Sequence, residues 1–427
     1  MSYQDFINAK HKRHLKTGIH CPTVDFALFP FQQHIVKSSL ERGRACIFAG
    51  TGLGKTIMQC EWARHLPGKR LILAPLAVAG QTIAEADHML GMTIKRIHSA
   101  ADADHDGVFI ANYDRLHLLT DTAWDGVVLD ESSILKSHDG AYRKALQDAF
   151  ENVPYKLACT ATPAPNDYME LGTHAEFMGA MTRTEMLATY FTHCGDDTSK
   201  WRLKGHAVRD FWHWVSSWAT ICSHPRDIGF DQDGYDLPEL TMPMHVVGEV
   251  FHEHGGLFGD AKPSATELFA MASRSAEARS SKTAELATSD DKPWLIWCHS
   301  NEDQSLLEKK IPSAVSVKGS DSEQSKEDRL LGFSEGRYRV LITKPKIAGY
   351  GMNWQHCSNM VFCGATYSFE MMYQAVRRCW RFGQKLPVTA HVVVGPEGAQ
   401  VCGAVELKRM AHEEMTSAAR EVLMGVA

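Results

Sequence analysis

The stretch Phe48–Met58, which reads FAGTGLGKTIM, restricts the fold of this chain more than any other feature of the sequence. It overlaps the end of the short apolar run Arg44–Ala49 and leads into Lys55–Leu66, which contains neither Gly nor Pro. This order is typical of a strand, a glycine-rich loop and a helix. Arg70–Pro75 then has the apolar character of a second buried strand. The strand–helix–strand unit predicts an α/β fold with a parallel sheet.

The loop nearly satisfies the phosphate-binding pattern G-x-x-x-x-G-K-[ST], except that Ala49 replaces the first glycine. The two later glycines allow backbone N–H groups to turn inward around phosphate oxygens. Lys55 can reach the β- and γ-phosphates, and the Thr56 hydroxyl can hold Mg²⁺. ATP and Mg²⁺ are therefore the predicted ligands. The predicted nucleotide-binding residues of the loop are Gly50, Thr51, Gly52, Leu53, Gly54, Lys55 and Thr56.

A second motif, DGVVLDESS, places Asp130 and Glu131 directly after the apolar run Val127–Leu129. Open α/β sheets bind ligands at the carboxyl ends of their strands. We therefore expect Asp130 to hold Mg²⁺ and Glu131 to orient or deprotonate the attacking water. The next apolar run ends in the sequence TATP, Thr160–Pro163, whose hydroxyls can sense the γ-phosphate. An ordinary boundary between a strand and a turn is the alternative there.

The second half of the chain contains a further series of strand-like runs that are separated by helical stretches. The runs are Trp294–Ser300, Ala314–Val317, Tyr338–Lys344, Asn359–Ala365 and Val388–Val394. This alternation predicts a second parallel sheet. Since this half lacks a phosphate loop, it cannot be a second independent ATPase.

The stretch Ser368–Gln384 is predicted to form a helix with Gln374, Arg378 and Arg381 on one face. Two guanidinium groups that point the same way can bind a phosphate, as arginine fingers do. Arg377 falls at a similar angle and is a competitor for this role. A solvated basic helix face is the alternative.

Composition excludes several other classes of protein. The 427 residues allow two or three domains, and the formal net charge is −6. Between positions 336 and 409, however, ten Lys or Arg stand against three acidic residues, which favours a polyanion as partner. No run is long and apolar enough for a membrane span, and the first residues do not form a signal peptide, so we expect a cytoplasmic protein, nucleoid-associated or in the host cytoplasm if viral. Eleven cysteines without a C-x-x-C pair favour free thiols, and neither disulfides nor structural zinc are expected.

Together these motifs resemble those of superfamily-two helicase-like ATPases, and within them the Swi/Snf family of double-stranded-DNA translocases, over nearly the whole chain. The family pattern A-x-x-G-x-G-K-T matches AGTGLGKT, so the resemblance makes Ala49 an expected residue. D-E-x-x matches DESS, and T-G-T-P matches TATP with Ala161 for glycine. Q-x-x-x-R-x-x-R-x-G-Q matches QAVRRCWRFGQ, which assigns the arginine fingers to Arg378 and Arg381 and leaves Arg377 outside.

The resemblance implies further binding residues. LFPFQ resembles the segment whose glutamine reads adenine, which points to Gln32. A-G-G-x-G-x-N is similar to AGYGMN, with Tyr350 for one glycine, and Gly351 and Gln374 are expected at the nucleotide. Other segments resemble those that hold the DNA backbone in such enzymes. They imply DNA-binding roles for Pro75, Asn112, Lys136, His299, Ser300 and Thr343.

The implied fold class is α/β, with two RecA-like parallel-sheet lobes and a helical insertion between them. The expected domains are a basic segment at 1–17, a first lobe at 18–180, a Trp-rich insertion at 181–240 and a second lobe at 241–427. In the insertion, a stripe at helical spacing predicts burial against a core, and its members are Phe211, Trp214, Trp218 and Ile221. The alternative is that Trp201 and the basic residues around it form an extra nucleic-acid surface.

The implied activity is ATP hydrolysis coupled to translocation along double-stranded DNA, by a compact motor similar to those of phages and mobile elements. An RNA or single-strand DNA helicase is one alternative. A non-motor ATP-binding scaffold is another, although the complete set of Lys55, Asp130, Glu131, Arg378 and Arg381 argues against it.

Overall fold

The chain falls into two compact units, residues 1–232 with 411–427, and residues 233–410. The computed structural model describes residues 17–21, 23–25, 27–75, 78–136, 140–164, 167–194, 197–248, 273–348, 352–365, 368–396 and 398–423. Within these ranges, no helix combines the length and the apolar character that crossing a membrane requires.

The first unit is built on a seven-stranded parallel sheet with the strand order β3-β4-β2-β5-β6-β1-β9. Its strands are β1 Arg44–Ala49, β2 Lys69–Ala74, β3 Lys95–Arg96, β4 Gly107–Asn112, β5 Gly126–Asp130, β6 Tyr155–Cys159 and β9 Ala219–Cys222. A separate antiparallel pair consists of β7 Phe191–Cys194 and β8 Asp197–Leu203. The predicted strand–loop–helix order around FAGTGLGKTIM is confirmed.

Helices cover this sheet and complete its core. They are α1 Pro30–Arg42, α2 Lys55–Arg64, α3 Ala79–Leu90, α4 Gly140–Ala149, α5 Leu171–Met178, α6 Arg183–Tyr190 and α7 Val208–Trp218. Short 3-10 helices span Ala100–Asp102, Tyr113–Leu118, Ser132–Lys136, Tyr168–Glu170, Gly205–Ala207 and Pro225–Ile228. Local capping sets some boundaries: α6 begins after Thr182, whose side chain accepts from the backbone N–H of Glu185.

The Trp-rich segment does not stand apart as an insertion between two lobes. It contributes β9 to the edge of the first sheet, beside β1, and its helix α7 packs into the first core. The predicted burial of Phe211, Trp214, Trp218 and Ile221 is confirmed. The last residues, from Ala411 on, also belong to the first unit, whereas they were expected in the second lobe. Both differences have one cause, namely apolar side chains that complete a core formed by residues far away in sequence.

The second unit is built on another parallel sheet, in the order β10-β16-β15-β12-β14-β13, with β11 also pairing with β16. Its strands are β10 Leu240–Thr241, β11 Met244–Val246, β12 Trp294–Cys298, β13 Val315–Ser316, β14 Val340–Thr343, β15 Asn359–Cys363 and β16 Val388–Val394. Its helices are α8 Ala276–Ala287, α9 Asn301–Lys310, α10 Glu323–Ser334, α11 Pro345–Ala348 and α12 Phe369–Val376, and α13 Gly398–Leu423 starts in this unit.

Alternate residues of the second sheet belong to two separate apolar clusters. On β12, Leu295 and Trp297 belong to one cluster, while Trp294, Ile296 and Cys298 belong to the other. A sheet that is buried on both faces is typical of parallel α/β architecture. The predicted fold class, α/β with two parallel-sheet lobes, is confirmed.

Candidate nucleotide site and nucleic-acid interface

The loop 50–54 connects the end of β1 to the start of α2, as the motif predicts. Gly52 and Gly54 have φ angles of 94° and 82°, in the left-handed region that favours glycine. The Lys55 Nζ donates to the carbonyl oxygens of Ala49 and Gly50, at 2.9 and 3.4 Å. Ala49 is fully buried and has no positive φ, so a glycine is not required at that position.

Two distant segments hold this loop in shape. The Gly50 N–H donates to the Cys222 carbonyl at the end of β9, at 2.8 Å. Gln32 is 4% exposed, and its Nε2 donates to the Leu53 carbonyl at 2.9 Å, while its Oε1 accepts from the Phe29 N–H. Gln32 is therefore placed directly against the loop, and its role in reading adenine stays a prediction.

Asp130 ends β5 and Glu131 follows it, and β5 is separated from β1 by β6 alone. Asp130 is buried, and its Oδ1 accepts from the Glu131 N–H at 3.1 Å. Burial raises the pKa of Asp130 to about 7, the Glu131 charge adds to this rise, and the charge of Lys55 opposes it. Among the described residues, Glu131 is the only non-glycine residue with a positive φ, 52°.

These residues fit a divalent cation. A buried carboxylate beside a second carboxylate is destabilised in its charged form, and a bound cation reverses that effect. Asp130 and the Thr56 hydroxyl, at the start of α2, are the oxygen donors that Mg²⁺ prefers. Separately, no group of three or more His, Cys, Asp or Glu side chains within the described ranges is arranged to hold a metal ion.

Sequence reasoning missed two buried side chains that contact the acidic motif. The Tyr113 Oη donates to the Asp130 carbonyl oxygen at 2.7 Å. The His174 Nε2 is hydrogen-bonded to the Ser132 hydroxyl at 3.1 Å, and its ring packs edge-on against Phe48 of β1. Tyr113 directly follows the predicted DNA contact Asn112, but the sequence did not reveal its partner, and no sequence signal indicated His174. The hydroxyls of the TATP motif are also fully buried.

In the second unit, the prediction of one helix over Ser368–Gln384 is wrong in its length. The helix α12 ends at Val376, so Arg378 and Arg381 lie beyond it. The Arg378 N–H donates to the Ala375 carbonyl, three residues earlier, at 3.2 Å, and the Arg378 carbonyl accepts from the Trp354 N–H at 2.9 Å. The contact with Gln374 survives, since the Arg378 Nη2 lies 3.4 Å from the Gln374 Oε1. Arg381 donates to the Asn353 side chain.

The remaining members of this region are placed as follows. Arg377 stacks on the rings of Trp380 and Tyr373, at 4.3 and 5.2 Å from the ring centroids. This stacking directs Arg377 toward aromatic neighbours. Gly351 and Tyr350 lie outside the described residues.

The predicted DNA contacts of the first unit lie at the carboxyl ends of the strands, as the acidic pair does. Ala74 of β2 pairs with Asn112 of β4, so Pro75 and Asn112 are neighbours at the carboxyl ends of these strands. Asn112 caps the following 3-10 helix by accepting from the Asp114 N–H. Lys136 ends the helix that follows the acidic motif, and its side chain lies outside the described part of the chain.

The predicted contacts of the second unit also converge at the carboxyl ends of neighbouring strands, β12 and β14. Ser300 caps α9 through the Asp303 N–H. The His299 side chain is exposed in part, and the neighbouring atoms that cover the rest of it lower its pKa. The charge of Asp303 opposes this change. Three nearby cations lower the pKa further, namely Arg279, Lys344 and Lys346. Thr343 is fully buried, so a contact with DNA from this residue would involve its backbone.

A buried ion pair lies next to the predicted DNA contacts His299 and Ser300. The Arg279 Nη2 lies 2.8 Å from the Asp303 Oδ1, and the two side chains are 4% and 1% exposed. Asp303 also accepts from the Ser300 hydroxyl at 2.7 Å. The pair thus ties α8 to the start of α9, next to His299 and Ser300.

The chain is similar to known proteins in sequence and in structure. Residues 279–383 match the family model of the helicase conserved C-terminal domain. The chain is 25% identical over 438 residues to putative protein p41 of Acyrthosiphon pisum secondary endosymbiont phage 1, covering 86% of this chain and 93% of that protein. It is also similar to the SWI2/SNF2 ATPase core of Sulfolobus solfataricus, solved in complex with double-stranded DNA, with 15% identity, a TM-score of 0.43 and 96% of each chain covered. The expected resemblance to helicase-like ATPases is thus confirmed in the second unit, whose residues 279–383 match this family model and include Arg378 and Arg381.

Proposed function

We propose that this protein is a Swi/Snf-type motor, which hydrolyses ATP and uses the free energy to move along double-stranded DNA. The observation that carries the proposal is that Lys55, which follows a glycine loop with left-handed backbone angles, lies at the carboxyl-terminal end of the same parallel sheet as Asp130 and Glu131. The chain combines this site with a helicase conserved C-terminal domain. A protein that only bound ATP would not require a complete hydrolytic set.

Each residue of the set has a distinct role in the proposed reaction. Lys55 neutralises the β- and γ-phosphates, for which its ammonium group must exchange the carbonyl oxygens of Ala49 and Gly50 for phosphate oxygens. Asp130 and Thr56 would hold Mg²⁺, which when bound neutralises the charge that develops on the phosphates. Glu131 orients the attacking water and accepts its proton.

Arg378 and Arg381 are proposed to stabilise the charge on the γ-phosphate during transfer. The carbonyl of Met352 and the side chain of Gln374 hold the Arg378 guanidinium, which restricts its rotation. A pre-oriented guanidinium loses less conformational entropy when it binds a phosphate than a free one does. Gly351 and Gln374 are proposed to complete the contacts with the nucleotide.

The DNA backbone is the proposed track. Asn112, Pro75 and Lys136 in the first unit, and His299, Ser300 and Thr343 in the second, are the proposed contacts. Phosphate contacts carry no sequence information, so binding should be independent of sequence and weaken as the salt concentration rises. Lys344 and Lys346 add positive charge beside His299.

The deciding experiment measures ATP turnover without nucleic acid and with duplex DNA, single-stranded DNA or structured RNA, together with displacement of a triplex-forming strand. We expect the greatest stimulation with duplex DNA and ATP-dependent triplex displacement. Lys55→Ala should abolish turnover, and Glu131→Gln should retain ATP binding without turnover. Asp121→Asn, which changes an exposed acid of the same unit, is the matched control and should behave as wild type.

The other outcomes identify the alternatives. Greater stimulation by RNA or by single strands, with strand separation, would indicate a helicase. ATP binding without turnover in the wild-type protein would indicate a scaffold. Turnover that persists in both Lys55→Ala and Glu131→Gln would refute the site itself.

A further inference from the structure

Tyr113 connects two parts of the first unit to which the proposed function gives separate tasks. It is the first residue of the 3-10 helix after β4, directly beside Asn112. Its side chain is 5% exposed, and its hydroxyl donates to the Asp130 carbonyl oxygen at 2.7 Å. Because β4 and β5 flank β2 on opposite sides, this bond reaches from one strand end across a second strand to a third.

A second hydrogen bond continues from Tyr113 toward the surface. The Tyr142 Oη, on α4, donates to the Tyr113 carbonyl oxygen at 2.7 Å. Tyr142 is half-buried, and Tyr113 belongs to the apolar core of the unit. The Tyr113 residue is thus held through its backbone on one side, while its side chain holds the acidic motif on the other.

The peptide group that Tyr113 holds determines the orientation of Glu131. The Asp130 carbonyl and the Glu131 nitrogen belong to one planar peptide unit. The plane of that unit sets the φ angle of Glu131, which is 52° and disfavoured for a residue with a side chain. Such angles persist only where the surroundings fix them. The hydrogen bond from Tyr113 is one such constraint, and the bond from the Glu131 N–H to Asp130 is another.

The direction of this hydrogen bond follows from its partners. A carbonyl oxygen can only accept, so the Tyr113 hydroxyl is the donor and the Asp130 carbonyl is the acceptor.

We propose that Tyr113 is a positioning residue that holds Glu131 in its hydrolytic orientation and transmits polynucleotide binding at Asn112 to the acidic pair. The proposal rests on the proposed function for its second half, whereas its first half concerns ATP hydrolysis alone. A displacement of Asn112 by a phosphate contact moves the adjacent Tyr113, and the hydrogen bond passes that movement to the peptide group before Glu131.

The test compares Tyr113→Phe with Tyr190→Phe. Tyr190 belongs to the same apolar core and is 1% exposed, and its hydroxyl has no hydrogen-bond partner within the described ranges. Both variants remove one buried hydroxyl, but only the first removes a contact with the acidic motif. Measurements are kcat and KM for ATP with and without duplex DNA, the Kd for ATP, and the Tm.

For Tyr113→Phe we expect kcat without DNA to fall by about 3- to 10-fold, the effect of one lost hydrogen bond. The Kd for ATP should stay within about twofold, because the loop 50–54 does not depend on Tyr113. The stimulation ratio with duplex DNA should also decrease. Tyr190→Phe should keep the wild-type kcat and stimulation.

Equal kcat and equal stimulation in the two variants would overturn the proposal. A parallel loss of kcat, ATP affinity and Tm would also overturn it, because that pattern indicates a purely structural role. If wild-type protein shows no stimulation by any polynucleotide, the proposed function fails, and kcat without DNA still decides whether Tyr113 positions Glu131. If Tyr113→Phe does not fold, Tyr142→Phe tests the same chain of bonds from a half-buried position, with an unchanged kcat counting against the proposal.

Discussion

Replacing Gly54 by alanine tests the nucleotide site at the position where the structure allows a side chain least. Gly54 has a φ of 82°, a conformation that residues with a Cβ rarely adopt. A Cβ added there would lie 2.3 Å from the Nε2 of Gln32, which is the atom that donates to the Leu53 carbonyl. Gly54→Ala therefore strains the loop and also displaces Gln32 from it.

The two effects can be added approximately. A left-handed backbone costs a residue with a Cβ about 1–2 kcal/mol, and loss of the Gln32 hydrogen bond costs about 0.5–1.5 kcal/mol. The sum, about 1.5–3.5 kcal/mol, opposes the loop conformation that is proposed to bind phosphate. Because each 1.4 kcal/mol corresponds to a factor of ten, ATP should bind about 10- to 300-fold more weakly.

Gly91→Ala is the matched control in the same unit. Gly91 follows α3 with a φ of 57°, and an added Cβ would meet no atom within 4 Å. This variant carries the same kind of backbone strain without the clash and away from the loop. We expect a loss of about 1 kcal/mol in the free energy of unfolding and an unchanged affinity for ATP.

The assay is a titration with a fluorescent ATP analogue, together with urea unfolding of both variants. Wild-type affinity in Gly54→Ala would refute the assignment of the loop as the ATP site. Equal loss of ATP affinity in Gly54→Ala and Gly91→Ala would show that general destabilisation, and not loop geometry, controls binding.

Three further predictions concern stability, measured by urea unfolding. Burial lowers the pKa of Lys156 to about 8, so between pH 8 and pH 10 the unfolded chain retains a proton that the native state has released. The free energy of unfolding should therefore rise by about 2–3 kcal/mol over this pH range, relative to that of the Lys156→Met variant. An equal pH dependence in both proteins would contradict this. Asp303→Ala leaves the Arg279 cation buried without its partner and should destabilise the protein by about 3–5 kcal/mol, whereas replacement of both residues by leucine should recover most of the loss. Trp218→Ala should cost about 3–5 kcal/mol, because this side chain is fully buried in the first core, and a loss below about 1 kcal/mol would place it outside that core.

The nucleotide loop and the strands were predictable because their signals are local. The strands Arg44–Ala49 and Val388–Val394 have the bounds that their apolar runs indicated. The backbone angles of Gly52 and Gly54 follow from the absence of a Cβ, a property of each residue by itself. The position of the acidic pair at a strand end follows from the same local reasoning.

Tertiary structure decided the features that depend on partners far away in sequence. The helix that carries Gln374 ends at Val376; beyond it the Arg378 N–H donates to the Ala375 carbonyl, and the Arg378 carbonyl accepts from the distant Trp354 N–H. The Trp-rich segment joins the first sheet as β9, because its apolar face completes that core and its backbone pairs with β1. No sequence pattern marks either partner in advance.

The same distinction separates the residues of the site from those that support it. The sequence by itself determined which residues are candidates for the chemistry, since Lys55, Asp130 and Glu131 are recognisable from residue type and spacing. Only the folded chain placed the Tyr113 hydroxyl against the Asp130 carbonyl and His174 against the acidic motif. The physical reason is that a hydrogen bond across a sheet depends on strand order and register, which many sequence positions determine jointly.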